Sequence, residues 1–178
     1  MFVFDGSSHI TYSVFQQTLL LAKSVLSSYN ISQDETNVAA AVYARDVNVS
    51  FAFSDHYSFS AVSSAIDSIP YLNQTSLNIS AALETVNDTI FPSGRENAQR
   101  VLVIFVSEML SGNFTQISQG LRDQGVIIIA IGLGSGYSMD QLNSIASRPP
   151  AAYVFGISFV VHIDTMEGGI AGAIAAGK

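Results

Sequence analysis

The sequence contains no cysteine, few basic residues and no long apolar run, and each absence removes a class of function. Without cysteine the chain has no disulfides, no thiolate metal site and no cysteine nucleophile. Its seven Lys and Arg residues are scattered singly against 14 acidic residues, which gives a formal net charge of -7. Nucleic acids and anionic membranes attract clustered positive charge, so neither is an expected partner. No apolar run reaches the roughly 18 residues of a membrane-spanning helix, so no membrane span is predicted.

The length and composition indicate one globular domain. Of the 178 residues 48% are apolar and 12% are charged, so the chain has enough apolar surface to bury a full core. We therefore expect a single domain over residues 1–178. The first residues lack the basic region of a signal peptide. The sequence is thus typical of an excised domain whose targeting segment lies elsewhere.

Asparagine is unusually often part of an N-glycosylation sequon. Six of the nine Asn residues begin an N-x-[ST] pattern, where the Ser and Thr content would give about two by chance. Because this modification takes place in the secretory pathway, the excess predicts a secreted, extracellular glycoprotein. The candidate sites are Asn30, Asn48, Asn73, Asn78, Asn87 and Asn113.

The first predicted strand ends in a group of polar side chains. Residues 2–4 form an apolar run typical of a buried parallel strand, and Asp5 follows them directly. Ser7 and His9 come next at every second position, so in a turning loop the three donors can converge on one point. Ligands of open parallel sheets bind outside the carboxyl ends of the strands. Two interpretations remain open: Asp5 and Ser7 bind a hard divalent cation, or they satisfy loop amides and cap the next helix.

Apolar periodicity predicts alternating strands and helices along the chain. After the first strand, the predicted strands are 38–44, 47–53, 100–106, 126–131 and 153–155. The predicted helices are 12–29, 58–69, 79–90, 115–124, 139–146 and a last helix at about 164–176. Asp46 is expected to turn strand 38–44 back into an antiparallel edge strand whose apolar side chains alternate.

This order of elements predicts the fold class α/β: a doubly wound, mostly parallel central sheet with one antiparallel edge strand and helices on both faces. In such a sheet the strand that ends at Asp5 and the strand that runs into Glu108 should end at the same edge. A pocket with two carboxylates is therefore the predicted functional centre. The last helix contains or adjoins four glycines, so we expect it to be weakly anchored.

No motif for catalysis or nucleotide binding is present. Gly132–Gly136 follows a strand but lacks both the G-x-G-x-x-G pattern and the P-loop lysine. There is no G-x-S-x-G nucleophile elbow, and a Ser7–His9 pair would have no identifiable orienting acid. His56 is expected in a loop, and His162 as a packed or surface residue. We therefore predict that the protein is not an enzyme.

Several segments between Phe2 and about Phe155 follow the pattern of one known family. Phe2–Ile10, with Asp5 and Ser7, is similar to the opening of von Willebrand factor type A domains, whose metal-ion-dependent adhesion site begins D-x-S-x-S. Leu121–Gly134 is similar to the family pattern L-R-D-x-G-V-x-I-x-A-I-G-x-G. Further similar segments follow the family's order and spacing: Ala81–Leu83, Ile145–Pro149 and Tyr153–Phe155. The resemblance implies the doubly wound fold and a binding module instead of an enzyme.

The resemblance also implies a cation site, from which this sequence departs. Asp5 and Ser7 match the family pattern. His9 stands where the family has its second Ser, and Glu108 stands for the Asp at the end of the fourth strand. Leu77, which cannot ligate a metal, aligns with the family's Thr. The candidate metal ligands are therefore Asp5, Ser7, His9 and Glu108, with Thr75 or Ser76 as nearby substitutes for the missing Thr.

Three outcomes are open for this site. In the first, Asp5 is hydrogen-bonded to loop amides and the site is vestigial. In the second, a transition metal such as zinc binds through Asp5, His9 and Glu108, because an imidazole nitrogen suits zinc better than magnesium. Alternatively, the site binds magnesium or calcium weakly. If no cation binds, Asp5 and Glu108 should repel one another, and one carboxyl group should have a raised pKa.

We expect an adhesion or matrix-assembly module that binds extracellular proteins at the strand-end face, with or without a bridging cation. A collagen-like protein is one candidate partner. The alternative is a structural domain of an extracellular matrix that assembles through surface contacts and needs no metal. In several relatives the final helix slides to couple the metal site to affinity, so a weakly anchored last helix here would either move or simply fray.

Overall fold

The computed structural model of the protein describes residues 1–157 and 163–175. Within these residues the strands are β1 Phe2–Asp5, β2 Ala40–Tyr43, β3 Val47–Phe51, β4 Val101–Glu108, β5 Ile127–Gly136 and β6 Val154–Ile157. The helices are α1 Tyr12–Ser27, α2 Phe59–Asp67, α3 Ile79–Thr85, α4 Phe114–Asp123, α5 Met139–Ile145, α6 Pro150–Tyr153 and α7 Ile163–Ala175. A π-helical turn, Val86–Ile90, and a 3₁₀ turn, Phe91–Ser93, continue α3. His162 and residue 176 of the predicted last helix lie outside the described residues.

The strands form one sheet in the order β3-β2-β1-β4-β5-β6. Every neighbouring pair is parallel except β2 and β3, which are antiparallel. Because β1 lies between β2 and β4, the chain winds outward in both directions from the middle of the sheet. This arrangement confirms the predicted fold class, including the single antiparallel edge strand.

The apolar side chains of the strands alternate between two cores, one on each face of the sheet. On one face Phe4 stacks on Phe105, with ring centroids 5.3 Å apart, and both pack against α1, α2 and α7. On the other face Val3 and Ile104 pack against α3, α4 and α5. Burial on both faces explains why these strands read as continuous apolar runs in the sequence.

The fifth strand is longer than its sequence predicts. The predicted strand ends at Ile131, whereas β5 continues to Gly136 and pairs there with Glu108 of β4. Two glycines allow close approaches along this extension. A Cβ on Gly132 would lie 2.6 Å from the ring of Tyr137, and a Cβ on Gly136 would lie 2.5 Å from the carbonyl oxygen of Ser107. The glycine-rich segment is therefore strand, and Gly132 and Gly136 allow close packing along it.

The predicted alternation of the edge strand is interrupted. The register between β2 and β3 shifts, because Ala40 pairs with Phe51 while Ala41 pairs with Val49. The bulge places Phe51 in the core on one face, whereas Val47 and Phe53 pack against the core on the other face and Val49 is 41% exposed. The prediction of regular alternation over 47–53 is wrong here because a bulge has no signature in the apolar pattern.

The last described helix lies against α1. Ile170 is buried in the core, the hydroxyl of Tyr29 donates to the carbonyl of Ala171 at 3.1 Å, and Ser24 donates to the carboxylate of Glu167. That α7 is weakly anchored because of its glycines stays a prediction. Among the described residues, no helix combines the length and the hydropathy needed to cross a membrane.

Candidate functional site

The candidate site lies where β1 and β4 end. The two strands are parallel neighbours, so Asp5 and Glu108 lie at the same edge of the sheet, as the sequence predicts. The chain leaves β1 toward α1 on one face and β4 toward α4 on the other, which makes this edge a topological switch point. Polar side chains and loops meet there in two layers, one buried and one at the surface.

Asp5 forms the buried layer with two serines. Its Oδ1 accepts a hydrogen bond from the backbone N–H of Ser7 at 2.9 Å. Its Oδ2 accepts two more from Ser107, one from the backbone N–H at 3.0 Å and one from the hydroxyl at 2.5 Å. All three residues are buried. One donor to Asp5 is thus a loop amide, as in the first of the three expected outcomes, and the other two belong to Ser107 in β4.

Burial raises the pKa of Asp5 above its usual value, and the hydrogen bonds from Ser107 and Ser7 act in the opposite direction. The sequence predicts one raised carboxyl pKa at this edge, but from repulsion between Asp5 and Glu108. Desolvation is the larger cause in the structure, because the carboxylate lies in the interior of the protein.

Ser107 is the site residue that sequence reasoning missed. It precedes Glu108 at the end of β4, and it supplies two of the three hydrogen bonds to Asp5. Its hydroxyl also lies 3.5 Å from that of Ser7. The available signal was position alone, because a serine at the end of an apolar strand is buried when its side chain points inward. The prediction chose the neighbouring Glu108 instead, because its side chain is charged.

His9 and Glu108 form the surface layer. Their side chains are 28% and 45% exposed, and His9 Nε2 lies 2.7 Å from Glu108 Oε2. The same nitrogen lies 2.8 Å from the carbonyl oxygen of Thr75, in the loop before α3. Thr75 thus contributes its backbone rather than its hydroxyl, and Leu77 packs against the apolar core.

The predicted ligands Asp5, His9 and Glu108 do not meet at one point. Within residues 1–157 and 163–175, no three or more His, Asp or Glu side chains are arranged to hold a metal ion. Asp5 is directed at Ser7 and Ser107, whereas His9 and Glu108 contact each other. The donor set in this arrangement therefore does not fit a cation, because its carboxylates and its imidazole are directed at different partners.

The geometry also bears on the Ser7–His9 pair considered for catalysis. The backbone N–H of His9, not its ring, approaches Ser7 Oγ, at 3.4 Å. The ring nitrogen Nε2 is directed at Glu108 and Thr75 instead. A buried Ser7 hydroxyl without the imidazole beside it is not arranged as a nucleophile and its base.

The loop after β4 exposes an apolar side chain next to Glu108 of the surface layer. Met109 follows Glu108 and is 68% exposed. The next residue, Leu110, makes two backbone hydrogen bonds to the side chain of Gln141 at the start of α5. The N–H of Leu110 donates to Gln141 Oε1 at 2.7 Å, and the carbonyl of Leu110 accepts from Gln141 Nε2 at 2.8 Å. Met109 is therefore exposed on a loop whose backbone is fixed. We call the surface formed by His9, Glu108 and Met109 the strand-end rim.

The candidate glycosylation sites differ in accessibility. Asn30, Asn48, Asn73, Asn78 and Asn113 are exposed, and Asn87 is half-buried. Asn87 also accepts a hydrogen bond from Gln124 at 2.9 Å and donates one to Asp88 at 2.5 Å. Asn78 is exposed but also caps α3, since its Oδ1 accepts from the N–H of Ala81 at 3.1 Å. Asn87 is the one of the six that is both half-buried and held by contacts with two side chains.

An open α/β sheet with a polar site at the carboxyl ends of its central strands is the architecture of doubly wound binding domains. The sequence model of the von Willebrand factor type A domain matches residues 1–162, and the chain belongs to this family. The resemblance predicted from the sequence is thereby confirmed.

Two relatives align with most of this chain. Vitrin of Mus musculus is 26% identical over 165 residues, which are 93% of this chain and 25% of vitrin. The collagen alpha-6(VI) chain of Mus musculus is 25% identical over 167 residues, 92% of this chain and 7% of the collagen chain. This chain thus spans a quarter or less of the length of these two relatives.

Solved structures give the same fold. Proximal thread matrix protein 1 from the mussel byssus superposes with a TM-score of 0.86 at 28% identity, over 99% of this chain and 44% of that chain. In that structure the metal-ion-dependent adhesion site (MIDAS) motif is occupied by zinc. The manganese-loaded TRAP protein of Plasmodium vivax superposes with a TM-score of 0.78 at 16% identity, over 97% of this chain and 71% of that chain, which shows the shared fold alone. Divalent cations thus occur in structures that this domain resembles.

Proposed function

We propose that this domain is a protein-binding module of an extracellular matrix or adhesive protein, and that it contacts its partner at the strand-end rim. The similarity to a thread matrix protein, to vitrin and to a collagen chain supports this class of function. The six sequons support secretion, because N-glycans are added in the secretory pathway. The names of these relatives support binding rather than catalysis.

The presentation of Met109 is the observation that carries the choice of surface. Among the described residues, Met109 is the most exposed of the large apolar side chains, at 68%. Here Gln141 holds the backbone of the next residue with two hydrogen bonds, so little backbone entropy would be lost when a partner covers Met109. An apolar anchor beside the charged pair His9–Glu108 matches the composition of protein interfaces, with an apolar centre and a polar rim.

The zinc-bearing relative provides the alternative in which a cation bridges the partner to the rim. In that case magnesium, calcium or zinc would bind at Asp5, Ser7, His9 and Glu108, and a chelator would abolish the contact. In the other alternative, a structural domain that assembles through its surfaces, a second copy of this chain would be the partner.

The test is surface plasmon resonance of the purified domain over immobilised fibrillar collagen, other purified matrix proteins and the domain itself. Met109→Ala should weaken the contact by about tenfold if Met109 is an anchor. The matched control is Tyr57→Ala, since Tyr57 is 41% exposed and follows β3 at the opposite end of the sheet. Equal effects of the two variants, or no contact with any surface, would contradict the proposal.

A further inference from the structure

We propose that His9 takes the place of a cation at the strand-end rim. Its side chain would then hold the loop after β1, the loop before α3 and the end of β4 together without metal. The resemblance to the family implies a cation held by the first loop, the second loop and the end of the fourth strand. In this chain His9 lies in the first of the corresponding segments, and its ring contacts the other two. It belongs to the loop after β1, and its Nε2 lies 2.8 Å from Thr75 O in the loop before α3 and 2.7 Å from Glu108 Oε2 at the end of β4.

Backbone hydrogen bonds hold the same loops together beneath the imidazole. The N–H of Asn73 donates to the carbonyl of Gly6 at 2.9 Å, and the N–H of Ser8 donates to the carbonyl of Gln74 at 2.9 Å. The loop before α3 is therefore joined to the loop after β1 by protein groups alone. The imidazole adds the third connection, from both loops to β4.

The buried layer leaves little for a cation to bind. Both carboxylate oxygens of Asp5 accept hydrogen bonds, and Ser107 donates two of them to one oxygen. With one bond on Oδ1 and two on Oδ2, the carboxylate retains a single free acceptor position, on Oδ1. The remaining oxygens between the strands are the neutral hydroxyls of Ser7 and Ser107, which lie 3.5 Å apart.

The surface layer is similarly occupied. Glu108 is paired with His9, and Leu77 offers no ligand where the family has a threonine. Calcium takes about six to eight oxygen ligands, and magnesium requires a nearly octahedral set. Two hydroxyls and one hydrogen-bonded carboxylate supply at most three of these ligands, so water molecules would have to supply the rest for either ion. Zinc would need His9 together with Asp5 and Glu108, which do not meet among the described residues.

The inference rests on the proposed function only for the choice of this rim, and its test needs no partner protein. The purified domain is dialysed against EDTA, and its thermal unfolding midpoint is measured with EDTA and with millimolar magnesium, calcium or manganese or micromolar zinc. We expect the same midpoint in every buffer, and no stoichiometric metal by elemental analysis of the domain as purified. A site saturated by its cation would raise the midpoint by several degrees.

Variants separate the role of His9 from general destabilisation. In EDTA, His9→Ala should lower the midpoint more than His56→Ala, and His9→Gln should recover part of the loss because its amide can still donate. If His9→Ala does not fold, the comparison is made between His9→Gln and His56→Gln. A midpoint that rises with a cation in the wild type and no longer rises in Asp5→Asn or His9→Gln would overturn the proposal. Equal midpoints of the His9 and His56 variants in EDTA would also overturn it.

Discussion

Ser107 donates two hydrogen bonds to a single carboxylate oxygen of Asp5, from its backbone nitrogen at 3.0 Å and from its hydroxyl at 2.5 Å. The two residues are 102 positions apart in the chain, and both are buried. This contact joins the ends of β1 and β4 inside the protein. A buried carboxyl group without such donors would cost several kcal/mol, so the serine stabilises the pair of strands as well as the site.

Ser107→Ala should therefore reduce the free energy of unfolding by about 1–3 kcal/mol, because one hydrogen bond to a buried carboxyl group is lost. The measurement is urea denaturation followed by circular dichroism. Ser111→Ala is the control, since Ser111 is exposed in the loop after β4, and it should change stability by less than about 0.5 kcal/mol. Equal losses in the two variants would show that the Asp5 contact contributes nothing.

Tyr43 should make the domain sensitive to alkali. Its hydroxyl is buried and donates to the carbonyl of Phe105 at 2.8 Å, and burial, with a smaller contribution from Asp5, raises its pKa well above 10. The unfolded chain loses this proton near its usual pKa of about 10, whereas the folded chain retains it. The folded state therefore binds more protons at high pH, and stability falls as the pH rises above about 10.

The variant Tyr43→Phe should lose about 1 kcal/mol at neutral pH, because the carbonyl of Phe105 loses its donor. It should then lose less stability than the wild type between about pH 9 and pH 11. Urea midpoints at several pH values measure both effects. Tyr12→Phe, at an exposed position on α1, is the control and should follow the wild type. A Tyr43→Phe curve parallel to that of the wild type would refute this explanation.

Two glycine substitutions should have opposite effects. Gly136→Ala would place a Cβ 2.5 Å from the carbonyl oxygen of Ser107, so β5 or the site must shift, at a cost of about 1–3 kcal/mol. Gly120→Ala on α4 meets no atom within 4 Å and should stabilise the helix by up to about 1 kcal/mol. Thermal unfolding of the two variants tests the pair. A neutral Gly136→Ala would mean that the end of β5 does not hold Ser107 in place.

The structure also orders the glycosylation sites. When the domain is secreted from eukaryotic cells, mass spectrometry of its glycopeptides should find the lowest occupancy at Asn87, whose side chain contacts Gln124 and Asp88. Gln124→Ala removes one of these contacts and should increase occupancy at Asn87 relative to Asn113, which is exposed. Full occupancy at Asn87 in the wild type would show that these contacts do not protect it.

Much of the fold was predictable because its strands are buried on both faces. Runs such as Val101–Val106 have no polar alternation, and helical periodicity follows each of them, so the doubly wound sheet follows from general rules. The predictions failed where glycine or a bulge decides the backbone. Gly132–Gly136 continues a strand because small residues let neighbouring groups approach, and the register shift next to Ala40 places Phe51 on the opposite face from Val47.

The candidate site was only partly predictable. Asp5, Ser7 and His9 could be found because they follow an apolar run that ends abruptly. Ser107 could not be separated from Glu108, since burial of one and exposure of the other depend on the local geometry of the strand end. Thr75 acts through its carbonyl, which every residue type has, so no sequence pattern could reveal the contact with His9.

The most direct test of the account is a crystal structure of the domain soaked in manganese, with an anomalous difference map calculated at the strand-end rim. The account predicts no anomalous peak there, with Ser107 still hydrogen-bonded to Asp5 and the His9 ring still against Glu108. A manganese peak within bonding distance of Asp5 or Ser7, with His9 turned away from Glu108, would contradict it.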